Sequence, residues 1–250
     1  MKNGLFELDE IYTGDQNILG EGLEDNSIDL IFTDPPYPKE YLHVYYDIGK
    51  YAKRVLKPGG SLVTLCGHWE VPQVIEALSI LGRLDWHWMG WMVHTGPKAT
   101  LYGFKVVCGG KPILWFTKGP VANFYGFWWD TQTGEGPSKK FHKWEQRVDW
   151  AWRNIKQLCQ EGGTVLDPFI GGGTVAVVCK QLRRHFIGFE IEPTQAQIAR
   201  GRLAETPVTD MMPGFDQIPI GVLNNNDQET ADAKIDTRSA SDLFGRNGDW

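Results

Sequence analysis

Two short stretches carry side chains whose types and spacing could do chemistry. The first is Asp34-Pro35-Pro36-Tyr37. Two adjacent prolines have fixed φ and no N–H to donate, so the chain cannot continue as a central strand or a helix interior there. A carboxylate and an aromatic ring are thereby held on stiff backbone directly after the apolar run Ile28–Thr33. Alone, such a tetrapeptide could equally be a rigid turn. The second stretch is Thr164-Val165-Leu166-Asp167-Pro168-Phe169-Ile170-Gly171-Gly172-Gly173-Thr174, which reads as strand, glycine-rich turn and helix start. Glycines let the backbone approach a ligand closely, and the helix that follows presents free N–H groups. Glu190 ends the next apolar run, 17 residues beyond Gly173. An acid at that position typically accepts hydrogen bonds from ribose hydroxyls, so the pair points to an adenosine-containing cofactor.

The spacing by itself permits a dinucleotide, because Ala176 can stand where a third glycine would fall. Asp167 argues against it. A carboxylate and a proline at the strand end would repel a pyrophosphate but suit a ligand carrying a sulfonium and an ammonium, as S-adenosyl-L-methionine does.

These motifs need a scaffold that brings them together. Short apolar runs alternate with helical patterns, the signature of a doubly wound α/β sheet. Strands are expected near Glu10–Thr13, Ile28–Thr33, Ser61–Gly67, Trp86–His94, Pro112–Lys118, Thr164–Asp167 and His185–Ile191. Helices are expected near Tyr41–Leu56, Val71–Leu81, Val148–Gln160, Thr174–Leu182 and Thr194–Leu203. Lys57-Pro58-Gly59-Gly60 reads as the stop after the first helix. Residues 94–111 and 119–143 mix Gly, Pro, aromatics and lysines and read as irregular. The tryptophans at 86, 88 and 91 read as core or sheet-face residues, and His43, His68 and His87 as structural.

A net charge of −6 argues against a nucleic-acid partner when taken as a whole, but its distribution changes that. Residues 205–250 hold nine acids against three bases, which leaves residues 1–204 neutral with 22 charges of each sign. The acidity therefore belongs to a tail that reads as flexible. Cys66, Cys108, Cys159 and Cys179 are scattered without a C-x-x-C pair, which fits reduced thiols and a cytoplasmic location rather than a zinc site or a disulfide framework. The opening MKNGLFELDE has no signal-peptide apolar run, and no run is long enough to span a membrane.

The order of the two motifs, DPPY and then DPFIGGGT, resembles the β class of amino-group DNA methyltransferases, whose motif order is permuted relative to most methyltransferases. The resemblance spans roughly residues 7–204. Glu7–Tyr37 resembles the family's opening, Lys111–Gly119 the strand before its target-recognition insert, and Phe186–Leu203 its close. It implies a Rossmann-like methyltransferase fold with a mixed sheet of about seven strands in residues 1–204. It implies S-adenosyl-L-methionine as cofactor, with no metal, and double-stranded DNA as partner. Asp34, Pro35, Pro36 and Tyr37 are then catalytic, and Asp15, Thr33, Asp34, Asp167, Phe169, Gly171, Gly173, Thr174 and Glu190 bind the cofactor. Asp15, after Gly14, matches a segment that contacts the adenine, although it could simply cap a turn. The stretch His142-Lys143-Trp144-Glu145-Gln146 lacks the prolines that the family often carries there.

The implied reaction is methylation of the N6 amino group of adenine on a base flipped out of the duplex. Asp in the first position of the tetrapeptide leans toward adenine; cytosine N4 is the alternative, and a catalytically silent DNA-binding protein a rival. Asp34 and the Pro35 carbonyl would accept the amine's hydrogens while Tyr37 stacks on the base. Lysines 98, 105, 111, 139, 140 and 143 could meet phosphates, and the aromatics at 102, 104, 124, 125 and 127–129 could wedge or stack. Segments 94–111 and 119–143 are the candidate recognition loops, and the second is short for a recognition domain, which suits a short site or a homodimer that shares the reading.

Overall fold

The computed structural model describes residues 1–37, 39–94, 98–122, 128–134 and 148–207. They belong to one unit, Met1–Thr209. The expected acidic tail beyond Pro207 lies outside the described residues, as do Lys139, Lys140, Phe124, Tyr125, Phe127 and the stretch from His142 to Gln146.

One sheet organises the unit. Its strands in chain order are β1 (Glu10–Thr13), β2 (Ile28–Thr33), β3 (Leu56–Leu65), β4 (Asp85–His94), β5 (Gly110–Thr117), β6 (Thr131–Gly134), β7 (Thr164–Asp167) and β8 (His185–Glu190). They lie side by side as β6-β4-β5-β3-β2-β7-β8-β1. β5 runs antiparallel to both of its neighbours, β3 and β4, and every other adjacent pair is parallel. The mixed Rossmann-like sheet is as expected, with eight strands in place of about seven.

The additional strand is β6, from a stretch that reads as irregular. Thr131-Gln132-Thr133-Gly134 has no apolar alternation to betray it. Pairing with β4 and a buried amide network hold it there. Asn154 Nδ2 donates to Gln132 Oε1 at 2.8 Å, and Trp128 Nε1 donates to Asn154 Oδ1 at 2.7 Å. Residues 57–60 also differ from expectation. They begin β3 instead of ending a helix, and the ladder with β2 shifts register between Ile28 and Leu30. A proline is tolerated at such an irregular strand entry. Gly59, with φ of +79°, donates its N–H to the Lys118 carbonyl at 2.7 Å and so joins β5. Trp86, Trp88 and Trp91 are partly exposed on β4 rather than core.

Among the described residues, five helices longer than one turn flank the sheet: α1 (His43–Val55), α2 (Val71–Ile75, continuing as a π-helix over Glu76–Leu81), α3 (Val148–Leu158), α4 (Thr174–Leu182) and α5 (Pro193–Glu205). α1 packs on the π-helical turn, α3 on α4, and α5 along β1 and β8. Every residue of β2 is buried, as befits a strand covered on both faces. Its one charge, Asp29, is paired with Lys57 Nζ at 2.6 Å and accepts the Thr164 N–H at 2.8 Å. The core contains two tyrosines on α1 whose hydroxyls are satisfied: Tyr45 donates to the Leu65 carbonyl at 2.9 Å and Tyr51 to Gln16 Oε1 at 2.8 Å.

The topology positions the motifs. After β2 the chain crosses through α1 to β3 on one side; after β7 it crosses through α4 to β8 on the other. β2 and β7 are nonetheless adjacent, with Leu30 opposite Val165 and Ile31 opposite Leu166. Connections that diverge from neighbouring parallel strands leave a crevice at the strands' carboxyl ends. DPPY and DPFIGGGT both begin there. Ile31, fully buried at the centre of this pair, is a sensitive probe of the arrangement. Ile31→Ala should lower unfolding free energy by roughly 2–5 kcal/mol in urea titrations. A loss below about 1 kcal/mol would mean that the β2–β7 seam is not core.

Candidate active site

Thr33 is the last residue of β2, and its Oγ1 donates a buried hydrogen bond of 2.8 Å to Asp167 Oδ1, across 134 positions of sequence. The same oxygen accepts the Phe169 N–H at 3.1 Å, closing the turn after β7 on itself. Asp167 is only 1% exposed. Burial pushes its carboxyl up to about 7, opposed by these two hydrogen bonds and reinforced by the charges of Asp34 and Glu190. Three carboxylates thus bear on one crevice.

Asp34 leaves β2 with its side chain 12% exposed. The Tyr37 hydroxyl donates to Asp34 Oδ1. Lys111 Nζ lies 3.9 Å from Asp34 Oδ2, donates to the Tyr37 oxygen at 3.0 Å and sits 4.5 Å from the centroid of the Tyr37 ring. Burial and the Asp34 charge hold the Tyr37 phenol well above its usual range, so it stays a donor. The Tyr37 face expected to stack on a base is therefore shared with an ammonium. Cys66, after β3, is also raised by burial, to about 12, and by the charges of Glu70 and Asp34, which leaves it a protonated thiol and no nucleophile.

A second group of residues lies along the same sheet edge. Glu190 ends β8, with Oε2 accepting the Gly171 N–H at 3.0 Å and Oε1 the Glu192 N–H at 2.9 Å. Each oxygen keeps acceptor capacity beyond that bond. Gly171 has φ of +48°, and a Cβ there would meet only the Phe169 carbonyl, at 3.9 Å, so the turn is open above it. Gly173, at φ of +78°, is also in the left-handed region, and here a Cβ would in addition stand 3.0 Å from the Ala199 Cβ of α5, so backbone conformation and helix packing both select this glycine. The Thr174 hydroxyl accepts from Arg202 at 3.1 Å, and Arg202 also donates to the Gly172 carbonyl at 3.0 Å. Gly14 donates its N–H to the Glu190 carbonyl at 2.9 Å. Asp15 caps the one-turn helix Gln16–Leu19, accepting the Asn17 N–H at 2.8 Å.

The structure therefore brings Thr33, Asp34, Tyr37, Asp167 and Phe169 into one cluster, and Asp15, Gly171 and Glu190 into a second beside it. Pro35 is buried and Pro36 exposed, as the stiff exit from β2. Strands β2, β7, β8 and β1 are consecutive, so the edge they present is about 14 Å wide at the usual strand spacing. Lys111 and Arg202 are the site's additions. Neither had a spacing signal. Lys111 arrives because β5 is reversed, which places its first residues at the carboxyl end of β3, where Leu65 pairs with Ile113. A separate cavity of about 620 Å³ opens at the opposite ends of β1 and β8. Its basic side chains Lys180, Arg184 and Arg200 donate to backbone carbonyls at 2.9, 3.0 and 3.1 Å and so hold the fold.

A family model described as DNA methylase matches residues 28–201, which contain both motifs, β2 through β8 and most of α5. The chain belongs to the DNA methylase family. The methylase is 30% identical over 227 residues to the type II methyltransferase M.HpaI of Haemophilus parainfluenzae, covering 73% of this chain and 70% of that one. It is 29% identical over 255 residues to the type II methyltransferase M.BglII of Bacillus subtilis, covering 80% and 70%. Among solved structures it resembles the M1.HpyAVI–SAM complex, with a TM-score of 0.64, 25% identity, and coverage of 78% of this chain and 99% of that one. The cytosine-N4-specific PvuII DNA methyltransferase shares the fold, with a TM-score of 0.66 at 18% identity over 84% of this chain and 89% of that one. No helix among the methylase's described residues is long and apolar enough to cross a membrane.

The buried Asp167 of the methylase has a stability consequence. Its folded value near 7 exceeds the usual 3.8, so the folded state holds the extra proton. The group's contribution to stability is present below about pH 4 and is lost as pH rises to about 7. Asp167→Asn keeps an oxygen for Thr33 and Phe169 and removes the charge. Its melting temperature should exceed that of the parent at pH 8 and approach it at pH 5. A variant less stable at pH 8 would contradict the burial argument.

Proposed function

We propose that the methylase transfers a methyl group from S-adenosyl-L-methionine to the N6 amino group of adenine within a short DNA sequence, on a base turned out of the duplex. The observation that carries this reading is the Thr33–Asp167 hydrogen bond, which joins the Asp-Pro-Pro-Tyr turn and the glycine turn at one crevice. The SAM complex of M1.HpyAVI supports the choice of cofactor.

The residues present fit that cofactor. Asp34, Asp167 and Glu190 make the crevice electronegative, which favours a cationic ligand and disfavours a pyrophosphate. Glu190, aimed by two backbone N–H groups, has acceptor positions left for a ribose diol. Gly171 leaves open space for a ligand to approach the backbone. Asp15 and Phe169 would flank the adenosine, with Thr33 and Asp167 toward the charged end. Gly173 and Thr174 would act through the shape of the turn.

When bound, the cofactor supplies a methyl group on a positively charged sulfur leaving group. The protein's part is to prepare the amine. An exocyclic amine is a weak nucleophile because its lone pair is delocalised into the ring. Asp34 and the Pro35 carbonyl, fixed by the prolines, would accept its two hydrogens and favour a pyramidal nitrogen. Tyr37 must first withdraw its hydroxyl from Asp34, freeing the carboxylate and turning its ring to the base. Lys111 then remains the near counter-charge of Asp34. The carboxylate need accept a proton only after the N–C bond forms, so a strong base is not required.

The Asp in the tetrapeptide favours adenine over cytosine N4, and nucleoside analysis decides between them. Plasmid from a methylation-deficient host expressing the protein should yield N6-methyladenine by mass spectrometry, and modification-sensitive sequencing should give its site. N4-methylcytosine instead would move the assignment to the other base; neither product would overturn the reading. Asp34→Ala should abolish transfer while leaving the calorimetric Kd for S-adenosyl-L-methionine within about threefold. Glu190→Ala should raise that Kd about tenfold or more, the worth of one charge-assisted bond. An unchanged Kd would remove Glu190 from the cofactor site.

A further inference from the structure

We propose that the hairpin 99–108 enters the DNA and that Tyr102 fills the gap left in the base stack by the extruded base. The inference rests on the base-extrusion reading above and names the element that performs it.

The hairpin pairs Ala99–Leu101 antiparallel with Val106–Cys108, in register Leu101 opposite Val106. Tyr102-Gly103-Phe104 form a single 3₁₀ turn at its tip, and Lys105, in the left-handed region at φ of +54°, closes it by donating its N–H to the Tyr102 carbonyl at 3.2 Å. Tyr102 is 86% exposed and Phe104 54%. Leu101, Val106 and Val107 are exposed as well. A two-stranded hairpin is marginal by itself and an exposed apolar surface of this kind marks an interaction site. The two tip aromatics are not equivalent. Phe104 is spent on the body of the protein, its ring centroid 4.6 Å from that of Trp69. Tyr102 is the ring left to reach outward.

Both attachments of the hairpin lead to the catalytic turn. Its second strand continues through Gly109 and Gly110 into Lys111, the residue beside Asp34 and Tyr37. Lys111 lies six positions beyond Lys105, about 20 Å of extended chain at most. Trp69, its other anchor, follows Cys66, whose thiol senses the Asp34 charge. The charge on this part of the chain fits a polyanion. No acid occurs between Asp85 and Asp130, while Lys98 and Lys105 flank the two strands of the hairpin, in a chain of net charge −6. Lys111 and Lys118, in the same stretch, are engaged within the fold. A base drawn out of the duplex leaves two neighbours unstacked, and an aromatic ring inserted beside them restores much of that lost stacking for any sequence. Tyr102 has the exposure, the flanking lysine and the tether for this role.

The test uses two duplex oligonucleotides carrying the methylated site found by sequencing. In one the target base is paired; in the other it faces an abasic position, where extrusion is already cheap. Tyr102→Ala should lower the methylation rate on the paired duplex at least tenfold and on the abasic-opposed duplex less than threefold. Tyr102→Phe should retain at least half of the parent rate on both. Equal losses of Tyr102→Ala on the two duplexes, or no loss on either, would overturn the assignment. Methylation of either duplex by the parent protein keeps the broader reading intact whatever the variants do, and a parent inactive on both would remove the broader reading and this inference together.

Discussion

The buried hydrogen bond from Thr33 to Asp167 ties together everything at the carboxyl edge of the sheet. It exists because β2 and β7, more than 130 residues apart, are neighbours whose connections leave in opposite directions. Asp167 is the end of one strand and Thr33 the end of the other, so a single bond sets how the two turns face each other. Removing a charged carboxylate from water is costly, and the fold accepts that cost at Asp167. The proton balance of this one residue therefore couples the stability of the seam to the electrostatics of the site.

The electrostatics have a consistent sense. The charges of Asp34 and Glu190 both disfavour ionisation of the buried Asp167, and the Lys111 ammonium stands beside Asp34. A positively charged ligand relieves the same repulsion. Tyr37 joins the two effects, because its hydroxyl occupies Asp34 while its ring carries the Lys111 ammonium. The Asp34 carboxylate and the Tyr37 ring are thus covered by one interlocked set of contacts rather than by two independent ones.

The glycine turn shows a division of labour that residue type alone hides. Gly171 is open above its backbone and aims its N–H at Glu190, whereas Gly173 lets α5 approach through Ala199. Arg202, reaching back from α5 to Gly172 and Thr174, secures the turn from behind. Open surface and packing surface are therefore the two sides of a single turn.

Much of this was legible in the chain itself. Proline pairs, strand-end acids and glycine runs act through local backbone rules, so Asp34-Pro35-Pro36-Tyr37, the 164–174 turn and Glu190 could be read from residue type and spacing. The buried strands β2, β5 and β7 announced themselves as apolar runs because both faces are covered. What the residues could not declare depended on partners distant in sequence. β6 forms from polar residues because β4 offers an edge and Asn154 an amide. The Pro58-Gly59-Gly60 run becomes a strand entry because Lys118 lies opposite. Lys111 reaches Asp34 only because β5 is reversed, and strand direction is a property of the assembled sheet that no single segment encodes.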